Sequence, residues 1–261
     1  MKDVSILTSN GANVKKALEL FGDMETYDMT LETFLQEVPD KLAKIKNCKE
    51  IGDMANYAIL VHSLKSDARY FGFEDLGEIA YQHELESKAN NMYYVSENFD
   101  ELMTEANRVV NVVKKYMGIA GVTLDQYKKE EKVASDKAIL VVDDSNIIRN
   151  FILKIFKDDF NVIVANDGKE ALDILSDETK RNSIKAVLLD LNMPNVNGFE
   201  VLEFYKTNDL FRSIPISIIT GVDDKESIEK AFKYPIIDML IKPFNERDVK
   251  RILEKTINSN M

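Results

Sequence analysis

The chain has 261 residues, 45% of them hydrophobic, which is enough for two domains of ordinary length, each with its own buried core. Its net charge is −11, shared as −7 over residues 1–120 and −4 over the rest, and this argues against a nucleic-acid partner. Cys48 is the sole cysteine, so no internal disulfide can form, which fits a reducing compartment; the plain role for it is a small helical core or surface residue.

The opening stretch MKDVSILTSNGANVKK lacks the long apolar segment of a secretory signal, and no apolar run approaches the ~18 residues of a membrane span. A soluble, cytoplasmic protein without membrane insertion is the expectation. Residues 12–21 predict a short helix, and apolar residues at three- and four-residue steps predict longer ones over 28–46, 53–71, 74–90 and 98–117. The stripes run through Leu31, Phe34, Leu35, Val38, Leu42 and Ile45; through Leu76, Ile79, Ala80 and Leu85; and from Phe99 to Met117. Four amphipathic helices with short links imply an all-α four-helix bundle over 1–120, antiparallel, with the short helix packed against it. Pro39 falls inside the first long stripe and is expected to kink that helix or start a new one.

Residues 121–136 are polar and charged and read as a linker, helical in part at DQYKKEEK. From 137 to 261 the period changes. AILVVDD, NVIVAND, AVLLDLN, IPISIIT and IIDMLIKPF are short β-branched or apolar runs separated by helix-like segments. That alternation implies an α/β domain with a doubly wound, five-stranded parallel sheet of the flavodoxin-like kind, whose crevice lies at the carboxyl ends of the strands.

Those ends carry chemistry. Asp143 and Asp144 close the first strand, Asp190 the third, Thr220 the fourth and Lys242 the fifth, so three carboxylates, a hydroxyl and an ammonium should share one crevice. Crowded carboxylates repel unless a cation compensates, and Mg²⁺, hard and oxygen-seeking, suits such a donor set. A lone Asp at a strand end is usually a cap; five such groups on four strands in order need another explanation.

The motifs VVDDSNIIR (141–149), LLDLNMPNVNGFE (188–200), IITG (218–221) and IKPF (241–244) make residues 137–258 resemble a response-regulator receiver domain. The resemblance implies that Asp190 is the phosphoacceptor and that Asp143 and Asp144 hold Mg²⁺, together with Asp190 and the backbone carbonyl of Asn192. It implies that Thr220 and Lys242 contact the phosphoryl group. Receivers usually carry Tyr or Phe three residues before the final lysine, where this chain has Met239, which puts an aromatic switch in doubt. Pro194 and Gly198 shape the loop after the third strand.

One of only two histidines lies in HSLKSDARYFG, residues 62–72. On a helical wheel Tyr57, Leu60, Val61, Leu64, Ala68 and Phe71 follow the core stripe, whereas Ala58, His62, Lys65, Ser66 and Arg69 follow another, so His62 is expected to face outward. Lys65 and Ser66 stand three and four residues on, a cation within reach of a phosphoryl group and a small residue that leaves room for a partner. Neutral imidazole is a good nucleophile at cellular pH. The stretch HSLKSDARYFGF resembles the His-x-x-Lys-(small) signature of histidine phosphotransfer (HPt) domains, with Ser66 where Gly is commoner; the similarity spans about residues 20–118. His83, in AYQHELESK, has no such surroundings.

The leading expectation is a two-component signal-transduction phosphorelay protein in which His62 and Asp190 exchange phosphoryl groups with a sensor histidine kinase, hybrid or not, and with other receivers or HPt domains. No ATP-binding motif accompanies them, so transfer would be stoichiometric rather than enzymatic turnover, apart from autodephosphorylation at the receiver. Two alternatives stand beside it: a binding module switched by phosphorylation of Asp190 without relay through His62, and a metal-dependent phosphatase using the three aspartates.

Overall fold

The computed structural model describes residues 2–119, 137–221 and 225–259, and the chain divides into two compact units, Met1–Lys129 and Glu130–Met261. The expected linker over 121–136, with its short helix, lies outside the described residues.

In the first unit, α1 (Ser5–Thr8) and α2 (Val14–Phe21) precede four longer helices, α3 (Met24–Ile51), α4 (Met54–Tyr70), α5 (Glu74–Lys88) and α6 (Met92–Met117). Local chemistry sets the ends. Asp23, Asp53 and Asn91 accept from backbone N–H groups three residues on, at the starts of α3, α4 and α6, and Gly52 and Gly118 close α3 and α6 in the left-handed conformation. α3 packs on α4 and α6, and α5 packs on the same two, which closes the four-helix bundle. Its core joins Leu31, Phe34 and Leu35 of α3 to Val61 and Leu64 of α4, Leu76 and Ala80 of α5, and Leu102, Val109 and Val113 of α6.

Three expectations need correction here. α3 continues through the exposed Pro39, with no new helix starting there. Leu85 is 43% exposed and is not part of the core; α5 buries His83, Glu84 and Ser87 instead. Leu60, placed on the core stripe of α4, is only half-buried.

Gly72 ends the α4 turn with φ +81°, and a Cβ there would come within 2.6 Å of the Asn13 carbonyl oxygen. Only glycine allows this approach, in which Asn13 N–H donates to Gly72 O at 2.9 Å and ties α2 to the end of α4.

The second unit alternates β1 (Ala138–Val142), α7 (Asn146–Phe156), β2 (Asn161–Ala165), α8 (Gly168–Ser176), α9 (Glu178–Ser183), β3 (Ile184–Asp190), α10 (Gly198–Thr207), β4 (Ile216–Gly221), α11 (Lys225–Ala231), β5 (Met239–Lys242) and α12 (Glu246–Asn258). All pairings are parallel, in the order β2-β1-β3-β4-β5. The three inner strands are almost wholly buried and the two edge strands only partly, as near-continuous apolar sequence in the middle of a covered sheet requires. The order reverses between β1 and β3, and a doubly wound sheet opens its crevice at that point.

Candidate functional site

The strand ends converge as expected. Asp143 follows β1 directly, Asp190 ends β3, Thr220 is the penultimate residue of β4 and Lys242 ends β5. Asp143, Asp144 and Asp190 each offer a carboxylate oxygen, and these atoms lie within 4.8 Å of one another. Lys242 Nζ stands 2.6 Å from Asp190 Oδ2 and 2.8 Å from Asp143 Oδ2. The remaining oxygens are held by backbone: Ser145 N–H donates to Asp143 Oδ1 at 2.9 Å and Asn192 N–H to Asp190 Oδ1 at 3.1 Å. Asp143 and Asp190 each thus present one oxygen to the crevice while a turn fixes the other.

Electrostatics follow from that crowding. Burial alone would pull the Lys242 ammonium down, but the carboxylates of Asp143, Asp190 and Asp144 overcome it and hold its pKa well above the ordinary lysine value. Thr220 is fully buried, and its hydroxyl finds no hydrogen-bond partner among the described residues. A buried hydroxyl left unpaired at a carboxylate-lined crevice is a donor awaiting an acceptor. Arg149, near the end of the VVDDSNIIR motif, is buried, with its guanidinium bonded to the Asp143 carbonyl and to Asn146 Oδ1, so it pins the turn that carries the aspartates. Met239 is half-buried and packs against the sheet core, as do Tyr234, Ile236 and Phe199.

Gly198 lets the loop after β3 close on the site. A Cβ at Gly198 would sit 2.3 Å from the Asp190 carbonyl oxygen, and its N–H donates to Leu191 O at 3.0 Å. Asn197 then starts α10 with a capping box shared with Glu200.

In the helical unit the expectation for His62 changes. It lies off the apolar stripe of α4, yet it is 3% exposed rather than facing solvent. A wheel counts neighbours on one helix and is blind to the carboxylate that α5 brings alongside. His62 Nδ1 and Glu84 Oε1 are 2.8 Å apart, Lys65 Nζ is 2.7 Å from Glu84 Oε2, and Lys88 Nζ is 2.8 Å from Oε1. Burial would raise the Glu84 carboxyl, but the His62 hydrogen bond and the charges of His62, Lys65 and Lys88 hold it far below the usual range. Glu84 is therefore a carboxylate, an acceptor only, and Nδ1 of His62 carries the proton. His62 Nε2 is buried with no hydrogen-bond partner among the described residues. Ser66 donates to the His62 carbonyl at 3.1 Å, and the Lys65 ammonium stands 5.2 Å from the Tyr81 ring centroid.

Glu84 was not legible as a site residue. Its one signal is a charged residue on an α5 turn whose apolar stripe is weak. The pairing of Lys41 on α3 with Ser63 and Asp67 on α4 was equally hidden. His83 is structural: Tyr57 Oη lies 2.7 Å from Nδ1 and the Asn98 carbonyl 3.2 Å from Nε2, and burial pushes its pKa down.

Residues 139–254 match the response regulator receiver domain family and residues 29–111 match the Hpt domain family, in the order that the two units follow. The chain belongs to the two-component phosphorelay proteins. Among its relatives, a chemotaxis protein CheY homolog of Campylobacter jejuni is 32% identical over 125 residues, 46% of this chain and 92% of the relative. A probable methanogenesis regulatory protein, FilR2 of Methanothrix harundinacea, is 33% identical over 45% of this chain and 79% of its own length. The chemotaxis protein CheY4 of Vibrio cholerae, a solved structure, aligns at 26% identity over 46% of this chain and 98% of that one, with a TM-score of 0.41. Hpt and receiver domains imply phosphotransfer partners such as histidine kinases and response regulators. No described helix of this phosphorelay protein is long and apolar enough to cross a membrane.

Proposed function

We propose that this phosphorelay protein carries phosphoryl groups at His62 and Asp190, exchanging them in the cytoplasm with a sensor histidine kinase and with other receivers or Hpt domains. The domain limits that go with this reading are 1–120 and 137–261, with 121–136 as the linker. The observation that carries it is the crevice itself: three carboxylates, one ammonium and an unpaired buried hydroxyl at the ends of four strands. Asp190 is the nucleophile, its carboxylate attacking phosphorus in line as the bond to the leaving group breaks. Lys242 offsets charge on the phosphoryl oxygens, and Thr220 donates to one of them. Asp143, Asp144, Asp190 and the Asn192 carbonyl are the residues that would hold Mg²⁺, and their all-oxygen donor set fits that ion. Mg²⁺, when bound, would supply charge neutralisation at the transferring group. At the bundle, His62 Nε2 accepts phosphate, with Lys65 the nearest cation on its own helix.

The test is residue-resolved labelling of the purified chain with Mg²⁺ and a small acyl-phosphate donor, comparing wild type with His62→Gln and Asp190→Asn. Acid and base lability separate phosphohistidine from aspartyl phosphate. Label at Asp190 that disappears in Asp190→Asn is expected, and its persistence would refute the assignment. Relay between purified partners should stop in both variants.

One observation favours a second reading. His62 is 3% exposed in the unphosphorylated chain, so a partner's phosphorus reaches Nε2 only after movement. In that reading Asp190 phosphorylation changes what the protein binds and His62 relays nothing. Normal partner signalling by His62→Gln, together with partner affinity that responds to Asp190 phosphorylation, would establish it.

A further inference from the structure

The loop between β3 and α10, residues 191–197, is tied to the start of α8 by a side chain and by backbone. Asn195 Nδ2–H donates to Asp167 Oδ2 at 2.8 Å, and Gly168 N–H donates to Val196 O at 2.9 Å. We propose that Asp167 and Asn195, neither of them a metal ligand, form the positioning contact for the divalent cation: their bond holds the loop in the shape that keeps the Asn192 carbonyl in place as a ligand. The inference rests on the reading that Asp143, Asp144, Asp190 and the Asn192 carbonyl take Mg²⁺, and it adds how the one backbone ligand is held.

Local chemistry prepares both partners. Asp167 is the N-cap of α8, where Oδ1 accepts the Glu170 N–H at 2.9 Å, and this leaves Oδ2 for Asn195. Asn195 has φ +64°, in the left-handed region that asparagine tolerates better than most side chains. The loop is thus bent at the residue whose amide makes the tie.

The same junction reaches the other side of the site. Ala165, the last residue of β2, accepts the Asp143 N–H at 3.2 Å. Segment 165–168 therefore bonds both to the residue that follows β1 and to the loop that follows β3. Those two segments carry the carboxylates and the carbonyl.

The ligands differ in how they are held. Asp143 and Asp190 are buried side chains bonded to Lys242 and to N–H groups two residues on. The Asn192 carbonyl is main chain, so its place follows the shape of the whole loop. Leu191 and Met193 bury the near end of that loop in the sheet core, while the contacts of Asn195 and Val196 hold the far end. Mg²⁺ demands near-ideal octahedral geometry, so a displaced carbonyl is felt as lost affinity. Breaking the tie should weaken the metal rather than the fold.

Two variants break the contact and keep its surroundings. Asp167→Ser keeps one oxygen for the α8 cap and has none left for Asn195, whereas Asn195→Gly removes the amide and accommodates the positive φ. Calorimetric Mg²⁺ titration of the full-length protein should give a dissociation constant about tenfold higher in each, the low end of what groups behind a metal ligand supply. Because each removes the same contact, the double variant should bind no more weakly than either alone. Half-saturating Mg²⁺ for Asp190 labelling by an acyl phosphate should rise by the same factor. The labelling rate at saturating Mg²⁺ and the urea midpoint should stay near those of wild type. Wild-type Mg²⁺ affinity in both single variants would overturn the proposal, as would a double variant whose loss is the product of the two. Absence of Mg²⁺ binding by the wild type would instead refute the metal assignment, and the proposal with it.

Discussion

Lys242 Nζ lies 2.6 Å from Asp190 Oδ2 with both side chains buried, and the same ammonium is 2.8 Å from Asp143 Oδ2. One lysine therefore serves as counter-ion to two carboxylates that would otherwise repel across the crevice. The interaction raises the lysine pKa, so its stabilising contribution is complete below the ordinary value of 10.5 and is lost only as pH climbs through the higher folded value. Neutral and mildly acidic pH leave it untouched from the lysine side.

Removing that ammonium should make the receiver dependent on a divalent cation. Lys242→Ala leaves buried carboxylates uncompensated, a loss of about 3–5 kcal/mol by analogy with broken buried pairs. Mg²⁺ at millimolar concentration should raise the melting temperature of the variant's receiver transition more than that of the wild type, because it replaces the missing charge. Equal Mg²⁺ increments in the two proteins would show that Lys242 and the metal do not share the carboxylates. Labelling of Asp190 should stay low even with the fold restored.

His83 gives the bundle an acid-side sensitivity. Burial lowers its folded pKa below the ordinary 6.5, and the Asn98 carbonyl and the Glu101 charge only partly oppose this. As pH falls below the unfolded value, the unfolded chain takes up a proton that the folded chain refuses. The His83 contribution is thus present above about pH 6.5 and is lost progressively on acidification. Urea midpoints of the bundle at pH 7.5 and 5.5 should differ more for wild type than for His83→Gln, and an equal difference would assign the pH effect elsewhere.

How much of this was readable in advance depended on whether a feature is local. Strand ends carry Asp190, Thr220 and Lys242 because a parallel sheet aligns its carboxyl ends, and short apolar runs mark those ends in the sequence. The five strands and the four bundle helices followed from period alone. At Pro39 the helix continues and no new one starts, because packing of Phe34, Leu35, Val38 and Leu42 on one face carries α3 past an exposed proline. Glu84 was missed because its meaning lies in facing His62 across a helix pair, and no single-helix wheel contains that distance.

Tyr205 offers a test of packing. Its ring is fully buried on α10 beside Phe211, at a centroid distance of 5.2 Å, and its hydroxyl has no partner among the described residues. A buried donor left unpaired costs about 1–3 kcal/mol, so Tyr205→Phe should raise receiver stability by roughly 1 kcal/mol in urea denaturation. A loss of that size would mean that the hydroxyl is satisfied in solution.

Gly198 is where loop shape and chemistry meet. It is not needed for a left-handed turn; what it provides is the absence of a side chain where the backbone of α10 touches the end of β3. The nearest atoms to a Cβ there are the Asp190 carbonyl oxygen at 2.3 Å and Leu191 Cα at 2.7 Å, both backbone, so neither can swing aside. Gly198→Ala must push the Asp190–Asn192 turn outward, and that turn holds Asp190 Oδ1 through the Asn192 N–H. Overpacking of this kind costs about 1–3 kcal/mol. Displacement of the Asp190 carboxylate from Lys242 should cost more in chemistry than in stability. The expected outcome is a folded receiver, by circular dichroism, whose Asp190 labelling by an acyl phosphate is at least about tenfold slower, since near-attack geometry is sensitive to shifts of an ångström. Wild-type labelling with normal stability would show that the loop relaxes without moving Asp190, and that glycine is not required at this contact.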